Sequence, residues 1–161
     1  MNMSVVLTHN GYDKLRKTLE NLLKNDLPEV VKMIEETRPI GCSDEFPPEY
    51  MNALDLQNRV EKKILDIRSI LNDCEIFNSQ MIQYNNKKEM KIGFGSIVKL
   101  LNCDTNKEIT YTLVSIYESD INNGYMSVSA PFALEMKGLS EGDTFEFNNN
   151  EYEILSVNSV V

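Results

Sequence analysis

PIGCSDEFPPEY, residues Pro39–Tyr50, separates two long segments of helical pattern. It holds three of the chain's five prolines, Gly41, and the carboxylates Asp44, Glu45 and Glu49 within six residues. Proline lacks a backbone donor and its ring strikes the preceding turn, while glycine opens left-handed backbone, so this stretch ends one helix and begins another. It reads as the turn of a helical hairpin, with an acidic tip at 39–50.

Upstream, Thr8 is placed to cap a helix that starts just after it, with Asp13 near the first turn. Leu15, Leu19 and Leu22, then less regularly Leu27, Val30, Val31 and Ile34, give that helix an apolar stripe. Pro28 lies inside the pattern, which resumes at once through Glu29–Arg38, so one bent helix is expected rather than two. Downstream, Leu56, Val60, Ile64, Ile67, Leu71 and Cys74 recur at steps of four and three and keep one face apolar. Two such helices, each about 40 Å long for about 27 residues, should pack antiparallel as a coiled coil.

The periodicity stops near Ile76. Residues 77–91, with Asn85-Asn86-Lys87-Lys88 at their centre, read as a linker. Strand signals follow: Gly95–Leu101, Glu108–Tyr117, Tyr125–Ser129, Phe145–Phe147 and Tyr152–Val157, separated by turn clusters such as Asn122-Asn123-Gly124 and Asn148-Asn149-Asn150. Pro131–Lys137 alone looks helical, with proline at the first position and Gly138 just past the end. The expected fold class is therefore α+β. A coiled-coil hairpin over 1–76 and a linker over 77–91 precede a small antiparallel β-sheet domain with one short helix over 92–161.

The 161 residues suffice for one ordinary or two small domains, and a mean hydropathy of −0.33 describes a soluble chain. No apolar run approaches the roughly 20 residues that span a bilayer, and MNMSVVLTHN lacks the features of a signal peptide, so a cytoplasmic location with no membrane partner is expected. The net charge of −9 is spread, −4 over residues 1–80 and −5 over 81–161. Such a surface repels phosphates, which argues against a sequence-specific DNA binder. Cys42, Cys74 and Cys103 form no CxxC pair and have only His9 to join them, so reduced thiols are expected rather than a zinc site or disulfides. His9 reads as a helix-start residue, with no catalytic partner evident.

Thr8 and Gly11, Leu15 and Leu19, Pro28-Glu29, Gly41 and Glu49-Tyr50 in the first half, and Gly95-Ser96-Ile97-Val98, Met126–Ala133 and Gly138 in the second, form a recurring set of motifs in one order. In these residues the chain resembles the bacterial Gre transcript-cleavage factors. The resemblance implies a factor that is not itself an enzyme but acts on RNA polymerase. Its C-terminal domain, FKBP-like in the family, would dock at the rim of the polymerase secondary channel through a surface including Ser129, Pro131 and Phe132. Its hairpin would pass down that channel to the active centre and the transcript RNA 3′ end. Glu45 would there assist a Mg²⁺ of the polymerase, with Asp44 beside it, Glu49 and Tyr50 supporting the tip, and Arg38 near the RNA. The free protein would hold no metal or other cofactor of its own.

The tip departs from the family pattern, in which the glycine is followed by Asp, two residues and Glu. Here Cys42 stands in the Asp position and Glu45 in the Glu position, the interval to Glu49-Tyr50 is one residue longer, and Pro47-Pro48 stiffens it. Leu54 falls where a second basic residue is expected. Three readings follow: a cleavage-stimulating elongation factor, a secondary-channel inhibitor with an altered tip, and a binding module for a different partner. Residue by residue, the plain alternatives are a solvated loop for the carboxylates, a solvated helix residue paired with Glu35 or a neighbour for Arg38, packing at the hairpin end as against a contact with nucleic acid for Tyr50, and helix-start and core roles for Pro131 and Phe132.

Overall fold

The computed structural model describes residues 5–41 and 46–161. It divides into two compact units, Tyr12–Cys74 and Met1–Gly11 with Glu75–Val161.

The first unit is helical. Helix α1 (His9–Asn21) runs into a π-helical segment (Leu22–Asp26) and then into α2 (Leu27–Thr37). Backbone at the joints stays right-handed helical, so the helix continues through Pro28 as expected. The π segment explains how. Pro28 offers no N–H and its ring crowds the carbonyl one turn back; the wider turn, in which Leu27 N–H reaches Leu22 O, takes up the mismatch. Helix α2 stops at Thr37 because Arg38 precedes Pro39 and is driven to extended backbone, at φ −57° and ψ 128°.

Helix α3 (Pro48–Asp73) is the second arm, 26 residues long, and α2 packs along it. Leu22, Val30, Val60, Ile64 and Ile67 are buried together, with Leu15, Leu19, Leu23, Leu27, Ile34 and Leu71 against them. The apolar stripe is corrected at one end. Leu56 is 38% exposed, and the buried residue one turn before it is Ala53. Leu56 lies at the edge of the stripe, whereas Ala53 lies on the line of Val60, Ile64 and Ile67.

The second unit is built on a five-stranded sheet in the order β5-β4-β3-β7-β6, formed by β3 (Ser96–Asn102), β4 (Lys107–Val114), β5 (Tyr125–Ser127), β6 (Thr144–Phe147) and β7 (Asn150–Ser159). Strand β3 pairs antiparallel with β4 and β7, and β6 with β7. The β6–β7 turn has two residues, Asn148 and Asn149, both at positive φ, the backbone a tight hairpin needs and asparagine tolerates. The sheet is mixed rather than wholly antiparallel, because β5 runs parallel to β4. Residues 115–124, including a 3₁₀ turn at Ile121–Asn123, bring the chain back beside Thr112, so that Tyr125–Ser127 runs in the same direction as Thr112–Val114.

Strand β3 alternates buried and half-buried side chains, and its Val98 and Leu100 meet Leu113, Met126, Phe145 and Ile154 in the core. The short helix α4 (Pro131–Met136) turns Ala133 and Met136, three residues apart, into the same core.

Two features lie outside the expected division. Strand β1 (Val6–Leu7) pairs in parallel with β2 (Glu75–Ile76), so the residues before the hairpin join the sheet unit, with Leu7 fully buried. Residues 77–91 also fold within this unit. Phe77 is buried with its ring 5.3 Å from that of Phe94, Tyr84 bridges Met90, and Asn85 accepts from the N–H groups of Lys87 and Glu89. Their apolar residues are too few and too irregularly spaced to signal packing. Among the described residues no helix is long and apolar enough to cross a membrane.

Candidate functional site at the hairpin tip

The tip is made by the end of α2 and the start of α3. Beyond Arg38, Ile40 is fully exposed, and Gly41 takes φ +97° with no atom of the described residues within 4 Å of where a Cβ would stand. That positive φ is why glycine suits the turn. Cys42, Ser43, Asp44 and Glu45, which include the two carboxylates expected to assist a magnesium ion, lie outside the described residues.

The chain re-enters at Phe46, which is 58% exposed. Pro47 is extended, and Pro48 starts α3, where a missing N–H costs nothing because first-turn donors have no intrahelical partner. The carbonyl of Pro47 accepts from Tyr50 N (3.0 Å) and Met51 N (3.2 Å) and closes the first turn. Glu49 lies in that turn, exposed, where a negative charge suits the helix macrodipole. Tyr50 is half-buried, with its ring 5.7 Å from that of Phe46 and tilted 30°. Tyr50 thus packs against Phe46 at the hairpin end. Arg38 is exposed and makes no ion pair with Glu35 or with any other described residue. Nor do the described residues bring together three His, Cys, Asp or Glu side chains able to hold a metal ion.

The residues expected to dock a partner lie where β5 leads into α4. Ser127 organises the turn, its Oγ accepting from Ser129 N (3.2 Å) and its carbonyl from Ala130 N (2.9 Å). Ser129 and Pro131 are exposed, and Pro131 takes the first position of α4. Phe132 is engaged otherwise. Its ring stands edge-on to Tyr111, Phe145, Phe147 and Tyr152 at 5.0–6.0 Å, so it belongs to the packing of the sheet unit.

Thr8 and Gly11 receive a physical account from a residue that sequence reasoning missed. Thr8 caps α1, its Oγ1 accepting from Gly11 N at 3.0 Å. The Glu118 carboxylate accepts from the Thr8 hydroxyl, from Thr8 N (3.2 Å) and from Ser115 Oγ (3.0 Å). A Cβ on residue 11 would stand 2.0 Å from Glu118 Oε1, so the carboxylate can keep this position only over a glycine. Nothing in the local sequence signals Glu118, which is 110 residues from Thr8.

Cys74 and Cys103 are free thiols. Desolvation, followed by the charges of Glu151, Glu153 and Asp104, pushes the Cys103 thiol up, so it favours the unreactive protonated form.

Known proteins match the chain along almost all of its length. The family model described as "Transcription elongation factor, N-terminal" matches residues 5–76, and "Transcription elongation factor, GreA/GreB, C-term" matches residues 87–159. The chain is 37% identical over 155 residues to transcription elongation factor GreA of Helicobacter hepaticus, covering 94% of this chain and 91% of that one. It is 32% identical over 161 residues to GreA of Helicobacter pylori (strain Shi470), covering 98% and 94%. A solved structure, that of GreA factor homolog 1 of Thermus thermophilus, is 22% identical, with 97% of this chain and 99% of that one covered and a TM-score of 0.42.

Proposed function

This chain belongs to the GreA/GreB family of transcription elongation factors, and on that premise we propose that it inserts its hairpin through the RNA polymerase secondary channel and stimulates cleavage of backtracked transcripts. The observation that carries the reading is the match of both halves to the family, together with a hairpin whose turn keeps Glu45 and Glu49-Tyr50. The factor is not itself an enzyme; the polymerase active site does the hydrolysis, which makes the cytoplasm the place of action.

Asp44, Glu45 and Glu49 offer only hard carboxylate oxygens, the donors that magnesium prefers. The polymerase's magnesium supplies Lewis acidity and an activated water to the scissile phosphodiester. Glu45, with Asp44 in support, would lend it an anionic ligand, while Arg38 would meet a phosphate of the transcript 3′ end. Glu49 and Tyr50 hold the start of α3. Ser129 and Pro131, both exposed, offer the docking surface, and Phe132 supports it from within.

The test is transcript shortening in a stalled, backtracked complex, with wild type, Glu45→Ala and Cys42→Asp side by side. Wild type should shorten the RNA, Glu45→Ala should abolish the effect, and Cys42→Asp should raise it. A second reading, a secondary-channel inhibitor, is favoured by one observation: Cys42 replaces the family carboxylate. It requires slowed nucleotide addition without 3′ shortening, relieved by added Mg²⁺; that result would displace the cleavage reading. Failure to co-purify with RNA polymerase would remove both.

A further inference from the structure

We propose that Phe46 and Tyr50 form a stacking platform for an unpaired nucleobase at the 3′ end of single-stranded RNA. The inference rests on the reading above that the tip meets a transcript, and it names a contact which the acidic residues do not supply.

Three observations carry it. The first is exposure. The chain has six phenylalanines, and the other five are buried or half-buried; Phe46 alone is open to solvent, at 58%. An aromatic ring held out at the end of a charged hairpin costs hydrophobic free energy that packing elsewhere would recover.

The second is preorganisation. The Tyr50 ring lies 5.7 Å from that of Phe46, tilted by 30°, so the two rings brace each other. Pro47 and Pro48 fix the backbone between them, and the Pro47 carbonyl holds Tyr50 N and Met51 N. Little chain entropy remains to be lost when a flat ligand binds. Exposed Ile40 and Met51 add apolar surface from the same end of the hairpin.

The third is charge. Asp44, Glu45 and Glu49 outnumber Arg38 at the tip, so beyond the single phosphate contact that Arg38 can offer, ionic gripping of the RNA backbone is weak. Stacking on a neutral ring needs no such grip, and every base has a π-face to offer.

The competing occupant is an apolar protein surface, which would accept any large aliphatic side chain in place of Phe46. The experiment separates the two. Backtracked complexes are assembled from RNA polymerase with 2-aminopurine as the extruded 3′-terminal nucleotide. They are titrated with the full-length chain as wild type, Phe46→Ala, Phe46→Leu and Phe46→Trp, with co-migration on polymerase and helical circular dichroism recorded for each. Stacking quenches 2-aminopurine emission. The concentration for half-quenching should rise about five- to tenfold for Phe46→Ala and Phe46→Leu, the lower end of a base–aromatic stack because Tyr50 remains. Phe46→Trp should quench at least as well as wild type. Wild-type behaviour in Phe46→Leu, or four equal titrations, would overturn the stacking role and give the ring to a protein contact or to none. Co-migration without quenching sinks stacking alone, whereas absence of co-migration sinks the polymerase reading and this inference with it.

Discussion

Gly11 is the residue at which sequence logic and tertiary logic oppose each other. In the first turn of a helix, Gly→Ala ordinarily stabilises by roughly 0.5–1 kcal/mol, because alanine gives up less backbone entropy. Here the new Cβ would displace Glu118, which would have to leave its bonds to Thr8 and Ser115. Each is worth on the order of 1 kcal/mol net, so Gly11→Ala should lower stability by about 1–2 kcal/mol in urea unfolding. Combined with Glu118→Ala it should cost less than the two separate losses together. A stabilised Gly11→Ala protein would contradict the account. The same residue scale holds the sharpest legible feature of the tip: three carboxylates, Asp44, Glu45 and Glu49, fall within six residues of a proline-rich turn.

At the scale of elements, the helical arms were legible because side chains repeat with the helix. Prolines then set the limits, Arg38-Pro39 at the end of α2 and Pro48 at the start of α3. The stripe alone could not rank its own members. Ile64 is buried at the centre of the seam, while Leu56 is 38% exposed at its edge. Ile64→Ala should therefore cost about 2–5 kcal/mol in the unfolding of the helical unit, and Leu56→Ala under about 1 kcal/mol. Equal losses would mean that the seam continues through Leu56. The π segment belongs to this scale as well. Pro28 announces an irregularity in an otherwise good helix, but the sequence does not say whether a kink, a break or a widened turn absorbs it.

At the scale of the whole molecule, the division into units does not follow chain order. Leu7 precedes the hairpin in sequence yet is wholly buried in the sheet unit, through the pairing of Val6–Leu7 with Glu75–Ile76. Leu7→Ala should destabilise the sheet unit by about 2–5 kcal/mol. Hydrogen exchange should show the loss in amides of β3, β4 and β7 and spare those of α3; the reverse pattern would reassign the segment.

By itself the sequence determined the two helical arms, their proline-marked ends, the strand segments, the asparagine hairpin turn and the acidic tip. These rest on short-range physics: side-chain periodicity, missing donors and permitted φ angles within a few residues. Only the tertiary structure decided that β5 lies parallel to β4, that Leu7 and residues 77–91 belong with the sheet, that Phe132 is packed rather than free, and that Glu118 sits over Gly11. Those outcomes depend on which distant segments meet. Partners far apart in the chain leave no period in the sequence, and the entropy of bringing them together is offset only by contacts that exist once the fold is closed.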